Sequence, residues 1–148
     1  MKFSKRLLQG TLIKRYKRFF VDIKHKGKIV TSHCPNTGSM YGLLNEGNQV
    51  FFSKSTNPKR KLKYTLELIK VKNKLIGINT QLTNKIVLEA LKNKKIKSLK
   101  HFSNIQSEVM FSANTRFDFL LSNNKKKCFL EVKNVTLFRN KNTAEFPD

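Results

Sequence analysis

The sequence predicts an α+β protein in which a small antiparallel β-barrel precedes one helix and three further strands. Up to about residue 80, short runs of β-branched and aromatic residues alternate with turns rich in Gly, Pro, Asn and Lys. From residue 81 the apolar residues first fall at helical spacing and then return to strand-like runs. A hydrophobic content of 39% with twelve Phe supplies a packed core.

The predicted barrel is built from strand pairs with cationic outer faces. "TLIKRYKRFFVDI" (11–23) and "GKIVTSHC" (27–34) predict two strands joined by the turn "KHKG". "PNTGSMYG" (35–42) has the composition of a loop, and "QVFFSKS" (49–55) predicts a further strand. After a basic turn around Pro58, residues 64–71 and 74–79 predict a hairpin. Strands this short, with turns between them, favour a barrel.

The second region begins with a predicted helix. Thr83 is the expected N-cap, and Ile86, Val87, Ala90 and Leu91 recur at helical spacing. Strands are expected over residues 107–111, 115–121 and 127–138. The predicted domains are therefore 1–80 and 81–148.

The charge favours a polyanionic partner. Lys and Arg number 31 against 9 Asp and Glu, giving a formal charge of +22, and nucleic acid is the commonest polyanion of a cytosol. We expect DNA, double- or single-stranded, to be bound mainly through its phosphates. The candidate contacts are Lys14, Arg15, Lys17, Arg18, Lys54, Lys59, Arg60, Lys61 and Arg116. The alternative is that these lysines reflect the codon bias of an AT-rich genome and solvate the surface without forming a designed site.

Several classes of protein are not expected. No apolar run is long enough to span a membrane, and "MKFSKRLLQG" lacks the apolar core of a secretory signal, so we expect a cytoplasmic protein without a membrane partner. Cys34 and Cys128 are far apart without a CxxC motif, which argues against a disulfide scaffold or a zinc cluster. We expect Cys128 to be a small buried residue. No organic cofactor is expected.

The loop at 35–42 has two readings. Asn36, Thr37 and Ser39, with backbone N–H groups near Gly38, could contact a phosphate. The same residues could equally form a structural loop that packs between the domains. The adjacent His33 and Cys34 are not a nucleophile pair, because neighbouring strand residues point to opposite faces.

An acidic pair near the end of the chain predicts a metal site. "TRFDFLL" and "CFLEVKNV" are joined by "SNNKKK", and a hairpin centred between Asn124 and Lys125 places Asp118 opposite Glu131 and Arg116 opposite Lys133. Two neighbouring carboxylates favour a bridging cation such as Mg²⁺. Lys133 could then orient a water or offset developing charge. The alternative is that these charges solvate an exposed strand face, with Phe117, Phe119 and Phe129 as core on the other face.

The blocks "HCPNTGSMYGLL", "STNPKRKLKYTLELI", "INTQLTNKIVLEAL", "RFDFLL" and "EVKNVTL" resemble the sugar fermentation stimulation protein family over nearly the full length. The resemblance implies an oligonucleotide-binding (OB) barrel followed by a domain like the PD-(D/E)xK nucleases. It implies that Asp118 and Glu131 bind Mg²⁺ or Mn²⁺, that Lys133 is catalytic, and that Glu89 is a further acid. Family members continue past "FPD" with a helical segment, so we expect the nuclease-like domain to lack its C-terminal helices here.

Three functions follow for testing. The first, implied by the resemblance, is nonspecific DNA binding with a regulatory role in sugar (maltose) metabolism, in a bacterial protein. The second is a Mg²⁺-dependent DNA endonuclease or phosphodiesterase. The third is an RNA-binding or ribosome-associated structural protein, which fits the charge but leaves the acidic pair unexplained.

Overall fold

The computed structural model describes residues 1–140 and 143–145, and most of its regular secondary structure is strand. In chain order the strands are β1 (Leu8–Tyr16), β2 (Phe20–His25), β3 (Lys28–His33), β4 (Gln49–Lys54), β5 (Tyr64–Val71), β6 (Lys74–Gly77), β7 (Asn104–Ser112), β8 (Thr115–Ser122), β9 (Lys127–Leu130), β10 (Leu137–Asn140) and β11 (Thr143–Glu145). The helix α1 spans Thr83–Lys92. Among the described residues, no helix has the length and apolar content needed to cross a membrane.

The chain divides into two compact units. The barrel unit contains Lys2–Thr80 and the described residues from Asn134 onward, and the helix unit contains Met1 and Gln81–Lys133. The chain therefore returns to the barrel unit after leaving it. The division into domains at residue 80 stays a prediction.

The barrel unit is a closed sheet. Its strands follow the order β3-β2-β1-β4-β5-β6, and a parallel pairing of β3 with β5, through Ser32↔Tyr64 and His33↔Thr65, closes the barrel. Closure pairs strand edges that would otherwise offer unsatisfied N–H and C=O groups. The apolar side chains of alternating positions fill the interior, and its fully buried members include Leu12, Val21, Ile23, Val50, Phe52, Leu66 and Ile69.

A buried carboxylate also lies in the barrel unit and has its partners. Glu67 on β5 is 6% exposed. Its carboxylate accepts hydrogen bonds from the Ser53 hydroxyl at 2.7 Å and from the Asn79 amide at 2.8 Å. A buried polar group with such partners avoids the cost of an unsatisfied acceptor.

The single strand expected over residues 11–23 is wrong. β1 ends at Tyr16 and β2 begins at Phe20, because the chain turns between them and pairs Tyr16 with Phe20. Lys17 and Arg18 adopt left-handed backbone conformations, with φ of 47° and 61°. Such conformations usually require Gly, Asn or Asp, so the sequence carries no ordinary turn signal at this point.

The helix unit packs α1 against the antiparallel sheet β7-β8-β9. Leu91 of the helix is buried with Phe119 and Leu121 of β8. Thr83 is not the N-cap: it is the first helical residue, and the cap position is Leu82, which makes no side-chain cap bond. The reason is that the chain enters the helix from a 3-10 turn at Thr80–Leu82.

The strand expected over residues 127–138 is also wrong. β9 ends at Leu130, residues 131–136 have no regular structure, and β10 pairs with β11. The three phenylalanines of this hairpin do not share one face. Phe119 joins the buried cluster under α1, whereas Phe117 and Phe129 contact the exposed Phe111, with ring centroids 5.7 and 5.0 Å away.

Candidate metal site and nucleic-acid interface

Two N–H donors hold the Asp118 carboxylate in place. The backbone N–H of Val132 donates to Oδ2 at 2.7 Å, and the side-chain amide of Asn84, in the first turn of α1, donates to Oδ1 at 2.6 Å. An ionised carboxylate has about four lone-pair sites, so both oxygens can still accept a metal ion. The Asp118 carboxylate is thus oriented by hydrogen bonds, while both of its oxygens can still bind a cation.

The hairpin register agrees with the sequence prediction. Phe119 pairs with Leu130 and Leu121 with Cys128, so the next position in the ladder would set Asp118 opposite Glu131. The ladder stops there because β9 ends at Leu130. Beyond that point the Asp118 side chain accepts the hydrogen bond of the Val132 N–H.

Glu131 and Lys133 form an ion pair at the end of β9. The Lys133 Nζ lies 2.7 Å from Glu131 Oε1, and the two side chains are 55% and 45% exposed. Exposed ion pairs contribute only about 0–1 kcal/mol, so Glu131 can exchange its partner at little cost. The arrangement places a cation next to one of the two candidate ligands.

Glu89 and Arg116 have other partners. The Glu89 carboxylate accepts a hydrogen bond from the Met1 ammonium group at 2.7 Å. Arg116 pairs across the sheet with Met110 and forms an ion pair with Glu108 at 3.1 Å. The expected Arg116–Lys133 pairing is wrong, because Lys133 lies beyond the end of β9.

The residues present fit a water-rich site for a hard cation. Across residues 1–140 and 143–145, no three His, Cys, Asp or Glu side chains lie close enough together to hold one metal ion. Mg²⁺ is often bound by one or two carboxylates with waters and phosphate oxygens completing its shell. Asp118 and Glu131 are side chains of the kind that such a site uses, and the metal roles of Asp118, Glu131 and Glu89 stay predictions.

In the barrel unit, the β1–β2 turn presents two cations followed by an exposed aromatic ring. Lys17 and Arg18 are exposed. The Phe19 ring is 44% exposed and stacks on the His33 ring, with centroids 6.4 Å apart and planes within 4°. The Cys34 N–H donates to the Phe19 carbonyl oxygen at 2.7 Å, which fixes the turn against the end of β3.

The β4–β5 loop borders the same surface. Burial lowers the pKa of His33 below its ordinary value, and the positive charge of Arg60 in that loop lowers it further. A hydrogen bond within the loop stabilises it, because the Lys59 N–H donates to Asn57 Oδ1 at 3.0 Å. We call Lys17, Arg18, Phe19, His33 and Arg60 the Phe19 patch. Lys54, Lys59 and Lys61 are exposed in or beside the loop.

Arg15 makes its hydrogen bonds within the protein. Its guanidinium donates to the carbonyl oxygens of Arg18 at 3.0 Å, Asn36 at 2.8 Å and Gly38 at 2.9 Å. Lys14 is exposed and lies 5.6 Å from the ring centroid of Tyr16. Phosphate contacts from these two residues stay predictions, and Arg15 holds the turn and the 35–42 loop together.

The 35–42 loop is organised by its own hydrogen bonds. Asn36 is buried, and its Oδ1 accepts the Gly38 N–H at 2.9 Å. Thr37, Gly38 and Ser39 are exposed. The Gly38 N–H is therefore used within the loop, and a phosphate contact from Asn36, Thr37, Gly38 and Ser39 stays a prediction.

Sequence reasoning missed two residues of these sites. An aromatic residue directly after two cations is a usable signal for nucleic-acid binding, and it indicates Phe19, but no signal in the sequence places His33 against the Phe19 ring. Asn84 carries no such signal, since only the packing of α1 on β8 brings its amide to Asp118.

Models of one protein family match both regions of the chain. The "SfsA N-terminal OB domain" matches residues 13–78, and the "Sugar fermentation stimulation protein RE domain" matches residues 81–148. A solved structure of Pyrococcus furiosus SfsA in complex with Ca²⁺ is similar over 100% of this chain and 62% of its own, with a TM-score of 0.83 and 23% identity. These matches confirm the predicted fold class.

Curated relatives are similar over the whole chain. A sugar fermentation stimulation protein homolog of Pelagibacter ubique is 60% identical over 148 residues, and one of Alteromonas mediterranea is 51% identical over 156 residues. These matches include all of this chain but only 64% and 65% of the relatives. The chain therefore spans about two thirds of the length of the relatives that it matches.

Proposed function

Because the chain belongs to the sugar fermentation stimulation protein family, we propose that it binds DNA with little sequence preference, through phosphate contacts of the barrel unit. The observation that carries the proposal is the convergence of two basic segments on the end of β3. The β1–β2 turn contacts it through the stacked rings of Phe19 and His33, and the β4–β5 loop ends at Tyr64, which pairs with Ser32 of β3. OB barrels bind oligonucleotides through loops in these positions. A role in sugar metabolism, as the relatives' name indicates, is part of the same proposal.

The salt dependence of affinity tests this function. We expect log affinity for a labelled duplex, followed by fluorescence anisotropy, to fall linearly with log salt, by about 0.9 per neutralised phosphate. The triple variant Lys59→Ala, Arg60→Ala, Lys61→Ala should bind more weakly and with a shallower slope. Lys92→Ala, Lys94→Ala, Lys95→Ala removes the same charge from the helix unit and is the matched control. An affinity that does not change with salt would contradict phosphate-dominated binding.

A second candidate function is metal-dependent phosphodiester hydrolysis. It is favoured by the fixed Asp118 carboxylate, its register next to Glu131, and the match to a relative solved with Ca²⁺. Asp118 and Glu131 would hold Mg²⁺ or Mn²⁺, which would polarise the phosphate and lower the pKa of a bound water. The Lys133 ammonium, beside Glu131, would offset the charge that develops on the phosphate.

Calorimetric titration with Mn²⁺ separates the two functions. Asp118→Asn and Glu131→Gln should each reduce the heat of metal binding strongly. Glu108→Gln removes an acid of the same sheet that is paired with Arg116, and it should bind as the wild type does. Metal-dependent nicking of a plasmid that is lost with Asp118→Asn would establish a nuclease, whereas metal binding without nicking would leave the DNA-binding function alone.

A further inference from the structure

We propose that Phe19 stacks on an unpaired nucleobase, so that the Phe19 patch prefers single-stranded to double-stranded nucleic acid. This inference rests on the proposed DNA binding and specifies the form of the ligand. Its basis is the combination of an exposed aromatic ring with two cations on the same turn and a third in the neighbouring β4–β5 loop.

The Phe19 ring is held ready for stacking. One of its faces lies parallel to the His33 ring, and 44% of the residue is nevertheless exposed. The Cys34 N–H fixes its backbone carbonyl, and Arg15 binds the carbonyl of the neighbouring Arg18. A ring that is already oriented loses little conformational entropy when a base stacks on it.

The charges around the ring match a nucleotide strand. Lys17 and Arg18 precede Phe19 in the turn, and Arg60 acts on its stacking partner His33 from the β4–β5 loop. Phosphates on both sides of a stacked base would thus meet cations. Basic grooves with exposed aromatic rings are the usual means of binding single strands without sequence preference.

A duplex cannot use this ring in the same way. Its bases are already paired and stacked, and exposing one costs a few kcal/mol. Duplex DNA would therefore contact the cations of the patch but not the Phe19 ring. His33 acts in this scheme as a positioning residue behind Phe19, because its ring supports the ring that touches the base.

The test measures three probes with the 148-residue chain: a short labelled oligothymidylate, an abasic strand of the same length, and a duplex of the same length. Phe19→Ala removes the ring, and Phe19→Tyr retains it. Ile29→Ala is the matched control, because Ile29 is an exposed apolar residue, 67% accessible, at the opposite end of β3. Circular dichroism verifies that each variant is folded.

We expect Phe19→Ala to weaken binding of the oligothymidylate about 5- to 100-fold, the effect of removing one stacking aromatic residue. Its affinity for the abasic strand and for the duplex should stay within about twofold of the wild type, since phosphate contacts persist. Ile29→Ala should bind all three probes like the wild type, and Phe19→Tyr, which retains a stacking ring, should restore most of the oligothymidylate affinity that Phe19→Ala loses.

The outcomes distinguish this inference from the proposed function. Wild-type binding that is salt-dependent, with Phe19→Ala binding the oligothymidylate equally well, overturns the stacking inference and leaves DNA binding intact. An equal loss on the oligothymidylate and the abasic strand also overturns it, because the ring would then act without a base. A wild-type chain that binds none of the three probes overturns both proposals.

Discussion

Each carboxylate oxygen of Asp118 is oriented by one hydrogen bond. Asn84, in helix α1 of the same unit, donates the bond to Oδ1. Without the Asn84 amide, the Asp118 carboxylate would keep its hydrogen bond from the Val132 N–H but could rotate about that one contact. Removal of a group that orients a metal ligand typically lowers metal affinity about 10- to 100-fold. Asn84 is therefore a positioning residue for the candidate metal site.

We predict that Asn84→Ala lowers Mn²⁺ affinity about 10- to 100-fold, as loss of an orienting partner does. It should also lower the free energy of unfolding by about 1–3 kcal/mol, because a hydrogen bond to a charged group is lost. Calorimetry and urea unfolding measure the two effects. Lys85→Ala, an exposed change in the same helix, is the control, and equal metal affinity in both variants would refute the role of Asn84.

His33 makes stability depend on pH in a defined direction. Its pKa in the folded protein is lowered from the ordinary 6.5, first by burial and then by Arg60. The unfolded chain therefore binds more protons, and the stabilisation from neutral His33 is complete above 6.5 and is lost as pH falls through the folded pKa.

We predict that the free energy of unfolding of the wild type decreases from neutral pH to about pH 5 more steeply than that of His33→Gln. Urea unfolding at a series of pH values measures the difference. Parallel curves for the wild type and His33→Gln would show that His33 is not the group responsible.

At the scale of elements, the barrel could be predicted because its short strands and polar loops alternate along the chain. The two errors in strand bounds have tertiary causes. The β1–β2 turn is formed by Lys17 and Arg18 in left-handed conformations, and it is held by hydrogen bonds from Arg15 to the Arg18 carbonyl and from the Cys34 N–H to the Phe19 carbonyl, which no turn signal reveals. β9 is short because the Asp118 side chain accepts the Val132 N–H, a tertiary contact that no periodicity reveals.

Gly10 in β1 lies where the backbone of β2 comes too close for a side chain. A Cβ atom there would lie 2.8 Å from the Lys24 carbonyl oxygen and in still closer contact with Ile23. The backbone of β2 cannot retreat from such a contact without disturbing the pairing of Thr11 with Lys24. Gly10 thus allows β1 and β2 to pack as they do.

We predict that Gly10→Ala lowers the free energy of unfolding by about 1–3 kcal/mol, as overpacking of a filled core does. Gly77→Ala is the control, because a Cβ at Gly77 would meet no atom within 4 Å. Its effect should be under about 1 kcal/mol. Thermal unfolding of both variants measures the difference, and equal melting temperatures would contradict the proposed steric conflict.

At the scale of the whole molecule, the net charge of +22 opposes compactness. Like charges on one small surface repel each other, and salt screens this repulsion over a Debye length of about 10 Å at 0.1 M. A bound polyanion would neutralise the same charges. The charge that favours DNA binding therefore also makes the unbound protein sensitive to ionic strength.

We predict that the melting temperature of the free protein rises by several degrees when NaCl is increased from low to moderate concentration, because repulsion is screened. Differential scanning calorimetry measures the shift. An uncharged osmolyte at matched osmolality is the control and should not reproduce it. A melting temperature that is constant or falls with NaCl would show that ion pairs outweigh repulsion.

The path of the chain between the two units also has a consequence for engineering the protein. Gln81–Lys133 belong to the helix unit, whereas Lys2–Thr80 and the described residues from Asn134 onward belong to the barrel unit. A single peptide-bond cleavage between Gln81 and Lys133 would therefore produce two fragments that each carry part of the barrel unit. If one half of a split reporter were joined to each fragment, the reporter would become active only when the two fragments re-form the barrel unit.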